Sequence, residues 1–459
     1  MIATIQPSTA HGRMTAPPSK SMAHRLLICA ALAEGTSVIR NIELSQDILA
    51  TIDCLKALGA EISWEDGKAL VRGTAIRNAD TEKPVEGKQA VEKPVEGKPA
   101  VGVPDEEKPG AGAPDEEKPA VGVPDEGKRD MREPAVLPCR ESGSTLRFMI
   151  PLCLMNGLPY TLTGSGRLFE RPLTVYEKIC KEQGLLWEKE ENRLETAGIL
   201  ATGEYEIPGN MSSQFISGLL FALPLLESHS RIRITGRVVS RPYIDMTMQA
   251  LRIFGVETAW EGDDTIVIPG GQAFHPQDVR VEGDFSNAVF LDALNLIGGD
   301  VVLEGLDEDS IQGDRIYRQY LDRIDRGYAD IDLTDCPDLG PVLMVLAAMR
   351  HGARFTGTAR LKYKESDRGA VMKEELEKAG AGVELAGHEI RVAAGVKAPE
   401  DILQGHGDHR IVMALAVLLT KTGGSILGAE AVRKSLPDFW ERLAGLGVKI
   451  SLRAETGAE

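Results

Sequence analysis

The sequence contains no apolar run of the roughly 18 residues needed to cross a bilayer, so a membrane-spanning chain is not expected. Its six cysteines, Cys29, Cys54, Cys139, Cys153, Cys180 and Cys336, include no C-x-x-C pair and no close histidine partner. Cysteines scattered in this way read as reduced core residues rather than disulfides or metal ligands. The start, Met1-Ile2-Ala3-Thr4-Ile5-Gln6-Pro7, has neither the basic-then-apolar pattern of a secretory signal nor the Arg/Ser-rich pattern of a transit peptide. A cytoplasmic location is the expectation. Positive charge is also short: 52 Lys and Arg face 69 Asp and Glu, a net −17. That balance argues against nucleic acid or an anionic membrane as partner. It leaves small anionic substrates open wherever cations cluster locally.

A length of 459 residues exceeds one ordinary domain, and 42% hydrophobic with 26% charged residues suits a globular chain with a sizeable core. Residues 80–130 stand apart. They form an imperfect ten-residue repeat (EKPVEGKQAV, EKPVEGKPAV and similar) with 8 prolines, 14 acidic and 8 basic residues. Such a segment has little to bury against its ordering entropy, so it is expected to be a disordered insertion in a surface loop. Loop-closure entropy grows only logarithmically with length, so the insertion costs the fold little.

Elsewhere a coarser repeat recurs. A helical stretch ends at Gly, an alternating strand follows, and a polar turn leads to a second strand. Cys54-Leu55-Lys56-Ala57-Leu58-Gly59 runs into AEISW, EDG and KALVRG. Leu251-Arg252-Ile253-Phe254-Gly255 runs into VETAW, EGDD and TIVIPG, and Leu376-Glu377-Lys378-Ala379-Gly380 into AGVEL, AGH and EIRVAAG. Weaker copies lie at 178–198, 443–452 and 321–332. The pattern predicts about six similar α/β units rather than one doubly wound sheet.

Four apolar helices share an opening of small polar residues: Pro18-Ser19-Lys20-Ser21, Ser142-Gly143-Ser144-Thr145, Asn210-Met211-Ser212-Ser213-Gln214 and Gly405-His406-Gly407-Asp408-His409-Arg410. Plain N-capping explains any one of them. Lys20 and Arg410, in first turns where a cation opposes the helix dipole, need a further reason, and an anionic ligand supplies one.

Here the chain resembles the 5-enolpyruvylshikimate-3-phosphate synthase family. Pro18-Ser19-Lys20-Ser21 with Arg25 matches its P-S-K-S-x-x-x-R motif, and Gly143-Ser144-Thr145-Leu146-Arg147 its glycine loop. In the same order follow Arg171-Pro172, Ser212-Ser213-Gln214, Ser240-Arg241-Pro242-Tyr243-Ile244-Asp245, Asp335-Cys336-Pro337-Asp338, Lys364-Glu365-Ser366-Asp367-Arg368, Asp408-His409-Arg410 and Lys434-Ser435-Leu436-Pro437-Asp438. The resemblance covers nearly all of the chain except the repeat. It implies two similar domains, each of three repeated α/β units with helices directed toward an interdomain cleft, an inside-out barrel. Residues 1–18 plus 282–459 would form the phosphoenolpyruvate-side domain and 19–281 the other, with 80–130 inserted in it.

The resemblance further implies transfer of the carboxyvinyl group of phosphoenolpyruvate to the 5-hydroxyl of shikimate 3-phosphate, by a monomer without cofactor or metal. Shikimate 3-phosphate would lie against Lys20, Ser21, Arg25, Ser212, Ser213, Gln214, Ser240, Asp338 and Lys364. Phosphoenolpyruvate would be held by Lys20, Gly143, Arg171, Gln214, Arg368, Arg410 and Lys434. Asp338 is the candidate base, with Glu365 and Lys20 the candidate proton carriers at C3. The chain departs from the common pattern at Cys139-Arg140-Glu141-Ser142, where many relatives carry Gly-Asn, and at Ser144, where Thr is frequent. A sister family moves the same group onto UDP-N-acetylglucosamine. It usually carries Lys-Asn near the start and a loop cysteine before its Arg-Pro. This chain has Lys20-Ser21 and no cysteine between Cys153 and Cys180. A scaffold protein working through the repeat would have lost the charged residues that are retained here.

Overall fold

The computed structural model describes residues 1–74 and 134–455. The Pro/Glu/Lys-rich repeat at 80–130 lies outside the described residues. Three helices, Lys20–Leu32, Gly143–Cys153 and Ser213–Ala222, carry apolar residues around most of their circumference, and 11 of 13 residues are buried in Lys20–Leu32. A helix apolar on all sides belongs inside a core rather than on its rim. Gly143–Cys153 packs on Ser213–Ala222, and Ser213–Ala222 and Lys20–Leu32 both pack on Arg241–Ile253. Phe285–Leu296, Gly340–Met349 and His409–Thr422 pack on one another in a second core.

Around these helices stand, among the described residues, five four-stranded sheets built to one plan. In each, a parallel pair is followed by two antiparallel pairings. The plan is clearest in Ala135–Pro138, Tyr160–Thr163, Arg193–Ala197 and Leu186–Lys189. Glu204–Pro208 heads a second such sheet, Asp278–Arg280 a third, Ala329–Asp332 a fourth and Leu403–Gln404 a fifth. The sixth unit is smaller: Asp300–Glu304 pairs in parallel with His11–Thr15 alone. The repeat count read from the sequence therefore holds, with two physical differences. The helix before 329 leads not into a hairpin but into the first, parallel strand of its sheet. Lys449–Arg453 makes no hairpin of its own, because Ile2–Gln6 from the far end of the chain takes the partner's place.

The helix ends follow the expected chemistry. Gly184 closes Thr174–Gln183 at φ 66°, a left-handed conformation cheap only for glycine. The six cysteines are buried and unpaired, with Cys54 and Cys139 Sγ atoms 3.9 Å apart.

One apolar core draws on residues between Met22 and Val281, and another on Ala3, Ile5, Ala10 and residues between Phe285 and Val448. The two strands of chain that pass between them run side by side. Ser19 N donates to Glu282 O and Asp284 N to Pro17 O, both at 2.8 Å. No described helix is long and apolar enough to cross a membrane.

Candidate active site

The polar helix openings meet at one cavity of about 370 Å³ between the two cores. Ser19, Ser142, Ser212 and Asp408 each cap their helix by accepting from a backbone N–H. Capping is therefore real at all four, and the first-turn residues beside the caps still face the cavity. Of the 15 residues singled out from the sequence, 14 line it; Lys434 does not.

From the first half come Lys20, Ser21 and Arg25, on one buried helix. Lys20 Nζ is 2.7 Å from Asp47 Oδ2. Arg25 commits its donors to the protein: Nε to Thr247 Oγ1, Nη1 to Ser21 O and Nη2 to Tyr243 O, at 2.7–2.8 Å. Ser212, Ser213 and Gln214 open the next buried helix, and Gln214 Nε2 donates to Ser144 Oγ at 2.8 Å. Ser240 sits at φ 54°, a strained position for a residue with a Cβ, and its N–H donates to Asp335 at 2.7 Å.

Gly143 explains itself by space. A Cβ there would lie 2.7 Å from Arg171 Nη1 and 3.0 Å from Arg147 Nη1, so any side chain would displace the guanidinium groups that line the site. Arg171 is buried, its Nε has no hydrogen-bond partner, and among the described residues no carboxylate lies within ion-pair distance of it. A buried cation with open donors is costly unless a ligand completes it.

From the second half, Arg368 lies at the centre of an acidic ring. Its Nη1 is 2.7 Å from Asp338, its Nη2 2.6 Å from Glu365 and its Nε 2.8 Å from Asp408. Asp338 also pairs with Lys364 at 2.8 Å and Arg410 at 3.4 Å. Burial opposes ionisation of Asp338, yet Arg410, Lys364 and Arg368 outweigh it and hold its carboxyl well below the usual range. Glu365 behaves alike: burial is overcome chiefly by Arg368 and Arg171. Burial pulls the Lys364 amine down, against Asp338. Asp338 sits in a short turn, Pro337–Leu339, and caps no helix.

Lys434 is held elsewhere. Its Nζ is ion-paired with Glu141 and donates to Gly407 O at 2.6 Å. Sequence reasoning also missed contributors. Arg147, quoted only as part of the glycine loop, donates to Gln214 Oε1 at 2.9 Å, and Arg360 reaches from the second half to Ser240 Oγ in the first. His409 lines the cavity with both ring nitrogens unpartnered, and burial with Lys20 keeps it neutral. For Arg360 the only signal was the density of cations just before Lys364.

Eight basic side chains line the cavity against four acidic ones, inside a chain of net charge −17. Low-dielectric walls strengthen that local field. Glu365, Asp408 and His409 approach within 4.8 Å, but Arg368 already occupies both carboxylates, so a metal cation would meet a fixed positive charge. Glu374, Glu375 and His406 also cluster. There Glu375 is taken by Lys378, His406 and the Gln404 N–H.

The family model for EPSP synthase (3-phosphoshikimate 1-carboxyvinyltransferase) matches residues 5–90 and 112–443. The chain belongs to the EPSP synthase family. Relatives named 3-phosphoshikimate 1-carboxyvinyltransferase include that of Clostridium perfringens, 34% identical over 96% of this chain and 97% of its own. That of Clostridium kluyveri is 35% identical over 97% of each chain. Brachyspira hyodysenteriae has one at 32%, covering 98% of this chain and 100% of its own. The solved EPSP synthase of Acinetobacter baumannii shares the fold, with a TM-score of 0.70 at 21% identity over 99% of this chain and 100% of its own. Membership in the family accords with an α/β fold of repeated units enclosing a cationic cavity.

Proposed function

We propose that this chain transfers the carboxyvinyl group of phosphoenolpyruvate to the 5-hydroxyl of shikimate 3-phosphate and releases phosphate, a step toward chorismate and aromatic amino acids. The observation that carries the reading is the convergence on one cavity of cations from both halves of a family member. The unpartnered Arg171 stands opposite Arg368 and Arg410. Arginine forks match carboxylate and phosphate oxygens in pairs.

In this reading shikimate 3-phosphate lies against Lys20, Ser21, Ser212, Ser213, Gln214, Ser240, Asp338 and Lys364. Arg25 braces the wall behind it. Phosphoenolpyruvate is held by Lys20, Gly143, Arg171, Gln214, Arg368 and Arg410, with Lys434 at the edge. The 5-oxygen attacks C2 while C3 gains a proton, giving a tetrahedral adduct. The adduct then loses a proton from C3 and phosphate from C2, leaving the enol ether. Asp338 accepts the hydroxyl proton, and Glu365 with Lys20 serves C3.

Asp338 is a weak base while three cations surround it. Substrate anions that draw on Arg410 and Arg368 relieve that field and raise its proton affinity. The cations then stabilise charge on the departing phosphate.

The division into domains 1–18 plus 282–459 and 19–281 is part of the same proposal, supported by the two apolar cores. A monomer acting in the cytoplasm is the accompanying reading. The test is to identify the product by proton NMR after incubation with both substrates. Vinyl protons on a 5-O-linked product support the reading, and unchanged substrates reject it.

A further inference from the structure

Glu141 belongs to a segment where the chain departs from the common pattern, and the proposed chemistry does not use it. Its neighbour Arg140 holds φ 52°, with its guanidinium 2.7 Å from Asp53 and its carbonyl accepting from Ser165 N at 2.8 Å. That pinned turn sends Glu141 across the cleft. A Cβ on Gly166 would come within 2.9–3.2 Å of the Glu141 carboxyl group, so the carboxylate is seated on glycine backbone. On the far side it meets Lys434, whose ammonium also holds Gly407 O at 2.6 Å. Gly407 immediately precedes Asp408, which grips Arg368 and caps the helix that begins with His409 and Arg410.

We propose that Glu141 is a positioning residue for the phosphoenolpyruvate subsite, latching the glycine loop to the Gly407–Arg410 turn through Lys434. The inference rests on the reading of the cavity given above. That subsite takes Gly143 and Arg171 from one half and Arg368 and Arg410 from the other, so its geometry depends on how the halves register. Glu141 lies two residues from Gly143, and Gly407 three residues from Arg410. The shikimate 3-phosphate groups come mainly from one half and depend less on this registration.

The test is Glu141→Gln, which keeps the shape and removes the charge, with Lys434→Gln and the double variant. The KM for phosphoenolpyruvate rises about fivefold, the scale of one partly exposed ion pair. The KM for shikimate 3-phosphate changes less than about twofold, and the double variant is no worse than Lys434→Gln. Amide hydrogen exchange in the free protein quickens at 139–143 and 405–410 in Glu141→Gln. Unchanged KM and exchange overturn the latch. A lower KM for phosphoenolpyruvate also overturns it, because Glu141 would then be competing with substrate for Lys434. If the unaltered protein fails to turn over these substrates, the functional reading falls and the exchange measurement alone decides the latch.

Discussion

Arg368 and Asp338, thirty residues apart in sequence, meet at 2.7 Å with the Arg368 side chain only 1% exposed. Asp338 carries Lys364 and Arg410 as well. Neutralising it therefore leaves the buried Arg368 and Arg410 and the partly buried Lys364 short of compensation.

Asp338→Asn lowers kcat by orders of magnitude and also destabilises the protein, because a buried ion network that loses one partner costs about 3–5 kcal/mol. Added phosphate restores part of the Tm and none of the kcat. Glu365→Gln is milder on stability, since Arg368 keeps both Asp338 and Asp408. Its signature is slower entry of solvent deuterium into the methylene of phosphoenolpyruvate. Near-normal kcat in either variant removes that residue from the mechanism.

The unpartnered Arg171 predicts opposite effects on stability and activity. Arg171→Met relieves a buried unpaired charge, so the Tm of the free protein rises by roughly 2–4 °C. The KM for phosphoenolpyruvate rises at least about tenfold, the loss of a charge-assisted hydrogen bond. A fall in Tm with KM unchanged contradicts a ligand role for this guanidinium.

Asp314 predicts a pH dependence. Tyr243 OH donates to its Oδ2 at 2.6 Å across the two halves, while Oδ1 has no partner. Burial, with help from Asp338, pushes its carboxyl up to about 6. A raised folded pKa gives stability that is complete below about pH 4 and lost as pH rises through about 6. Asp338 and Glu365 act in the other direction, with stability present above about pH 4 and lost in acid as they protonate. Asp314→Asn removes the loss between pH 4 and 6 and keeps the Tyr243 hydrogen bond. Thermal melts across that range check it, and identical slopes in both proteins refute the assignment.

The repeat at 80–130 offers little to bury, so its deletion with a short Gly/Ser joint leaves kcat/KM within about twofold. A large fall with folding intact would give the segment a part in the site.

Much of this was legible in the sequence because glycine-terminated helices and alternating strands are local signals. The repeat plan of Leu251–Gly255 and Leu376–Gly380 could be read without any long-range knowledge. Pairing was not: Ile2–Gln6 entering the last sheet depends on contacts more than 400 residues apart. The site residues were named through ordered motifs, whereas their partners were not. Asp338 is held ionised by three cations from distant segments, which no local pattern around it shows. Lys434 was placed in the site by its motif, and Glu141, visible only as an odd residue before the glycine loop, holds it at the edge.

The most direct test of the central claim is phosphate release from phosphoenolpyruvate with shikimate 3-phosphate as acceptor and UDP-N-acetylglucosamine as control. The account predicts steady release with shikimate 3-phosphate and none above background with the control. Release with UDP-N-acetylglucosamine alone, or with neither acceptor, would contradict it.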